Sequence, residues 1–258
     1  MIPAAKSPLF EAWFLRHVRG RLRGAFSSLR VAGSEHVIKA ASRAPLLWVG
    51  NHTSWWDPLV AYHLSGSLFR LDGHAMMDAS NLRRLPFFAR IGAFGVDLDD
   101  PADGARSLRY AARLLDAPRR MVLVFPQGTE RPITERPLRF KPGSGELSRL
   151  APRCRVIPFA VRYDLAGEEL PRILVRFGPP IEMPRGREAR APERLRANHE
   201  EAVTALLDAI DRDVCSDNLE PYVPQFTSKP GAGELAGRAL GWLVGPRLPP
   251  HLSPRLPP

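Results

Sequence analysis

Four compact apolar runs punctuate this chain: Pro45–Gly50, Met121–Phe125, Val156–Val161 and Ile173–Phe177. Each is too short for a helix and most carry β-branched residues, the pattern of strands covered on both faces. Between and after them the apolar residues recur at helical spacing. Leu108, Ala111, Ala112 and Leu115 line one side of 106–116, and Leu195, Val203, Leu206, Leu207 and Ile210 line 192–214. A further helix is expected after Pro58. Strands alternating with helices predict an α/β domain whose mixed, largely parallel sheet is flanked by helices. Val31–Gly33 and His36–Ile38 read as two short strands about a turn.

The ends of the chain differ from this middle. Residues 8–30 read as a basic amphipathic helix, with Phe10, Trp13, Phe14, Val18, Leu22 and Phe26 near helical spacing and Arg16, Arg19, Arg21, Arg23 and Arg30 among them. Gly20 and Gly24 each weaken it by about 1 kcal/mol relative to alanine. Such a helix can lie in a membrane interface, aromatic side down, or pack on the domain; the membrane reading is preferred. The division is therefore an N-terminal helix at 1–30, a central domain at 31–215 and a tail at 216–258. The tail holds nine of the 27 prolines and repeats PRLPP at 246–250 and 254–258. That composition predicts extended, partly disordered chain without regular elements, broken by a candidate helix at 233–244.

The net charge is +10, and lysine supplies only Lys6, Lys39, Lys141 and Lys229 of the 37 basic residues. Arginine binds phosphate and carboxylate through a planar fork, so the partners should be anionic. No nucleic-acid recognition motif with interleaved aromatics is present, which leaves a lipid surface as the expected partner. Two cysteines exclude a disulfide scaffold and a cysteine-rich zinc module. His52, His63 and His74, even with Asp57 and Asp78, are too scattered for a metal motif. No metal and no cofactor are expected. Without an apolar run of about 18 residues, or a signal-peptide core, the expected place is the cytoplasmic face of the membrane, peripherally attached. A monomer is the simplest expectation.

Two polar loops follow buried strands, where α/β proteins carry chemistry. The first is Gly50-Asn51-His52-Thr53-Ser54-Trp55-Trp56-Asp57-Pro58. A carboxylate that fixes the tautomer of a histidine makes it a general base able to deprotonate a hydroxyl. Residues five apart on a helix are turned about 140° from each other, so His52 reaches Asp57 only if the helix starts beyond them. Asp57 as N-cap with Pro58 at the first helical position allows that. Taken alone, this spacing favours a capping aspartate and a turn histidine. The second loop is Phe125-Pro126-Gln127-Gly128-Thr129-Glu130-Arg131-Pro132. Its backbone amides could face a ligand and Arg131 could pair with phosphate, or it is an ordinary turn.

Together the blocks are more specific. Asn51-His52-x4-Asp57, then Phe125-Pro-x-Gly-Thr129, then Phe140-Lys-Pro-Gly-Ser-Gly145 and Val156-Ile-Pro-Phe-Ala-Val161 resemble the glycerolipid (lysophosphatidic acid) acyltransferase superfamily in order and spacing over about residues 30–180. The resemblance implies an acyltransferase domain at 31–215, with His52 as general base and Asp57 as its partner. It implies a donor that is an acyl thioester, acyl-CoA or acyl carrier protein, and a lipid hydroxyl as acceptor. Asn51, Gln127, Gly128, Thr129, Arg131 and Lys141 are the expected substrate-binding residues. The chain departs from the family pattern in two places. Leu98 stands where a phosphate-binding arginine is expected, and Gln127 and Glu130 replace the usual Glu and Arg, with Arg131 displaced by one. These changes point away from lysophosphatidic acid as acceptor. The alternative is a family member that binds lipid or acyl thioester without turnover.

Overall fold

Every position of Leu46–Gly50 (β2) is buried, as a strand covered by helices on both faces must be. Its side chains alternate between two apolar layers. Leu46 and Trp48 enter one, and Leu47 and Val49 the other. The structure, a computed structural model, describes residues 1–97, 99–165, 169–184, 186 and 188–228. Around β2 the described residues form one eight-stranded sheet, in the order β4-β3-β5-β2-β6-β7-β1-β8. The strands are β1 (Ser28–Ala32), β3 (Asp72–Asp78), β4 (Ala93–Val96), β5 (Arg120–Val124), β6 (Arg155–Asp164), β7 (Arg172–Phe177) and β8 (Val223–Thr227). β6–β7 and β1–β8 pair antiparallel, and the other neighbours are parallel. The sheet is therefore mixed and mostly parallel, as expected.

Helices cover both faces. On one side α1 (Pro8–Ala25), α2 (Ser34–Ala41) and α3 (Trp56–His63) bring Val18, Leu22, Val37, Leu59 and Val60 against Trp48, Phe159 and Phe177. On the other side α5 (Pro101–Leu114), α6 (Gly143–Leu150) and α7 (Pro192–Cys215) bring Ala111, Leu147, Val203, Leu207 and Ile210 against Leu47, Val49 and Val122. A short α4 (Ala79–Arg84) follows β3. The path from β2 runs through α3 to β3, on the β4 side of the sheet. The path from β5 runs through α6 to β6, on the β1 side. Adjacent strands that send their connections in opposite directions open a crevice at their carboxyl ends.

Several local expectations are corrected. His36–Ile38 lies in α2, not in a strand. Gly33 turns the chain there at φ +73°, and a β-carbon on it would sit 2.1 Å from the Phe177 carbonyl oxygen. Beyond that turn Val37, Ala40 and Ala41 share one buried helical face. The apolar set of the N-terminal helix splits. Phe14, Val18 and Leu22 are buried in the core, while Trp13 stays exposed, as does Leu9 beside that set. Most of the stripe read as a membrane face is thus a packing face. The segment after 215 contains β8, which pairs with β1 through Phe226 and Pro224, so the expectation of no regular elements fails there. The candidate helix at 233–244 and both PRLPP repeats lie outside the described residues.

Leu22 has no exposed surface. L22A should lower stability by about 2–5 kcal/mol in urea titrations without lipid, whereas W13A should stay within about 0.5 kcal/mol. His199 is buried between Ser144 and Ser148 of α6, and burial lowers its pKa to about 4. His63 in α3 is likewise lowered to about 4 by burial. Unfolded histidines bind a proton near pH 6.5, so below that the unfolded state gains protons first. Stability should fall as pH drops from about 6.5 to 4, and removing the His199 imidazole (H199Q) should flatten the fall seen in urea midpoints.

Candidate active site

Gly50 ends β2 beneath the ring of Phe159, where a β-carbon would lie 2.4 Å from the ring. The next residue, Asn51, is fully buried. Its amide donates to the Val161 carbonyl (3.0 Å) and accepts from the Val161 amide (2.8 Å), tying the loop to β6. The His52 amide then donates to Gln127 Oε1 (2.6 Å), and the His52 carbonyl accepts from the Arg131 amide (2.9 Å). These bonds tie the same loop to the turn after β5. His52 is thus held between two strand ends.

Asp57 has no exposed surface. A carboxylate in such a place must be hydrogen-bonded. Its Oδ2 meets His52 Nδ1 at 2.9 Å and accepts from the amides of Thr53 (2.6 Å) and Ser54 (2.8 Å). Its Oδ1 accepts from the Tyr163 hydroxyl at 2.6 Å. Asp57 is not the N-cap expected for it. The helix begins at Trp56, so Asp57 lies in the first turn and its side chain turns back to gather the amides ahead of the helix. The meeting with His52 occurs because 52–55 lie outside the helix, as the spacing required.

The His52 ring stacks on Phe125 at 4.6 Å with 20° between planes. With Nδ1 on the carboxylate, Nε2 is the nitrogen left for substrate. The ring borders a cavity of about 700 Å³. The cavity follows β5 from Phe125 down to Met121, about 13 Å at the rise of a strand. Leu59, Met76, Met77, Phe88, Ile91 and Leu123 make its walls, and Ser65, Gly73 and Met121 line its far end. Gly128, Thr129 and Glu130 border it beside His52. Gly128 takes φ +73°, and a β-carbon there would collide with the Lys141 side chain at 2.8 Å from Nζ.

The expected site residues therefore separate. His52, Gly128 and Thr129 border the cavity, and Lys141 packs over Gly128. Asn51 and Gln127 are buried and occupied with backbone partners. Arg131 does not line the cavity, and its guanidinium lies 3.9 Å from Glu135. Leu98 lies outside the described residues. Of the paired tryptophans, Trp55 lines the cavity, while Trp56 packs edge-on to Phe26 at 5.1 Å. Tyr163 was missed by sequence reasoning. No local spacing signals it, because its partner is 106 residues away. A second pair, His74 Nε2 and Asp72 Oδ1, stands 3.6 Å apart on β3, with Asp72 also held by Lys6. Among the described residues no group of three or more His, Cys, Asp or Glu is placed to hold a metal ion. No helix among them is long and apolar enough to cross a membrane.

N51A would leave the amide and carbonyl of Val161 unpaired in the core. It should cost about 2–5 kcal/mol in chemical denaturation. It should also lower activity at temperatures where the fold persists, because it frees the His52 loop from β6.

A family model described as Acyltransferase matches residues 28–162, from β1 through most of β6. Comparison with curated proteins returns no match.

Proposed function

Because the chain belongs to the acyltransferase family, we propose that it moves a fatty acyl group from an acyl thioester, acyl-CoA or acyl carrier protein, to a hydroxyl of a lipid. The observation that carries this reading is the position of His52, paired with a buried carboxylate at the mouth of a long apolar cavity. An acyl chain laid along β5 brings its thioester carbonyl to the imidazole. Nε2 takes the proton of the acceptor hydroxyl, and the oxygen attacks the carbonyl carbon. The tetrahedral intermediate expels the thiolate, which receives the proton from the imidazolium. Asp57 orients the ring and stabilises its cationic form. All of these groups come from one chain, so a monomer suffices, and no metal or cofactor enters the step.

The acceptor side of the site argues against a phosphomonoester. Glu130 borders the cavity beside His52, and Arg131 faces Glu135. A dianionic phosphate would meet a carboxylate there, with Lys141 over Gly128 as the nearby cation. A lipid whose acceptor hydroxyl is not flanked by phosphate, such as a glycosylated lipid, suits this mouth better. In this reading the unit at 31–215 performs the chemistry, while the outer side of the 1–30 helix meets the lipid surface. Trp13, Arg16, His17 and Arg21 line an open groove on α1 that reaches Trp56. Exposed Leu9, Trp13 and Trp55 add apolar anchors beside arginines suited to lipid phosphates. The protein then works peripherally, on the cytoplasmic face.

The test is thioester consumption by purified protein with acyl donors of increasing length and a polar lipid extract, followed by mass spectrometry of the products. H52A should lose about 10²–10⁴-fold in kcat, and a variant with near-native turnover would sink the assignment. Each buried methylene is worth about 0.8 kcal/mol, so kcat/KM should rise about fourfold per added CH₂ until the cavity fills. G73V adds bulk beside Ser65 and Met121 and should move the optimum to shorter chains; an unmoved optimum would place the acyl chain elsewhere.

A further inference from the structure

We propose that Tyr163 is a positioning residue of the acyl transfer, acting through Asp57 on His52. This rests on the general-base reading above. The geometry is one-sided. Oδ2 of Asp57 collects His52 Nδ1 and two backbone amides, whereas the hydrogen bond found at Oδ1 is that of the Tyr163 hydroxyl, at 2.6 Å. The carboxylate is sealed from solvent and the tyrosine that covers it is half-buried. Asp57 has no exposure, and the hydroxyl lies on a ring packed flat against Phe26 at 5.5 Å. Without the phenol one oxygen of a fully buried carboxylate would be bare. The carboxylate would then either rotate away from the imidazole or take up a proton.

The phenol itself stays protonated across the working range. Burial, with Asp57 beside it and Glu130 near, pushes its pKa well above the ordinary tyrosine value. Tyr163 is therefore a permanent donor and not an acid or base in the cycle. Its role is to keep the Asp57 carboxylate aligned, so that Oδ2 stays on Nδ1 and Nε2 stays in the cavity mouth. The titratable groups hydrogen-bonded to Asp57 are His52 on its own loop and Tyr163 on β6, and Glu130 on the turn after β5 bears in turn on the Tyr163 hydroxyl.

The experiment is a pH profile of kcat/KM for wild type, Y163F and H52A, in the assay described above. Y163F keeps the ring and its stack on Phe26 and removes only the hydroxyl. It should lower kcat by about ten- to a hundredfold, the worth of one hydrogen bond to a charged group. KM for the acyl donor should stay within about twofold. The acid limb of the profile should move to higher pH, because the uncovered carboxylate holds a proton more tightly, its own or the one shared with the imidazole. A structural role alone would reduce the active fraction and leave the limb in place. Should Y163F fold poorly, a difluorotyrosine at 163 keeps the shape and strengthens the donor, and the limb should then move to lower pH. A limb that stays fixed in the folded variants, or a Y163F with native kcat, overturns the proposal. If H52A is dead and Y163F is native, only the role of Tyr163 falls. If H52A retains turnover, the His–Asp base falls with it.

Discussion

A single buried carboxylate organises the cavity mouth of this molecule. Asp57 is withdrawn from solvent entirely, and an unpaired charge there would not be tolerated. To supply donors, the chain from His52 to Ser54 must curl over the first turn of α3 so that two amides and one imidazole converge on Oδ2. To cover Oδ1, β6 must run on to Tyr163. The position of the helix start, the tilt of the imidazole and the alignment of β6 are thus consequences of one desolvation problem. Asn51 reinforces the arrangement, binding Val161 two residues before Tyr163 in the same strand.

The sheet supplies the place where this problem can be useful. β2 and β5 are neighbours, yet their onward connections cross opposite faces. The loops that follow them are therefore free to face each other across a crevice. Gln127 closes that crevice at one point by accepting from His52, and Gly128 lets the turn bend back at positive φ. The long cavity then falls between β3, β5 and the helical turns at 56–68 and 86–91. The other face carries α5, α6 and α7, none of which lines the cavity.

How much of this was legible in the sequence follows from what each residue had to satisfy. The runs at β2, β5, β6 and β7 announced themselves, because strands buried on both faces admit little but apolar residues. β3 did not. Its Asp72 pairs with both His74 and Lys6, and its Met76 and Met77 border a cavity, so its pattern is neither continuous nor alternating. Val37 and Ile38 look like strand residues, but Gly33 reverses the chain and leaves room only for a helix. The His–Asp pair was readable only from the order of the four blocks and the family they resemble, since its spacing alone favoured a capping aspartate and a turn histidine. The roles of Asn51 and Gln127 were not, since an amide announces a need for partners and not which partners fill it. Arg131 shows the same limit for charge, because Glu135 lies one helical turn's spacing beyond it. Tyr163 is the extreme case, a residue whose meaning depends on a partner in the first turn of α3, 106 residues away.

The outer strand β8 has one more consequence. It covers β1, whose buried residues Leu29 and Val31 would otherwise border an open ladder of unpaired amides and carbonyls. β8 itself carries Pro224 and a shift in register opposite Leu29 and Arg30, and proline and irregularity are what discourage a further strand from adding to an edge. The short segment 223–227 is thus a selvedge for the sheet. A chain that lost it would present a flat, apolar border ready to zip onto its own copies, so the hazard of trimming that segment is self-association more than loss of chemistry.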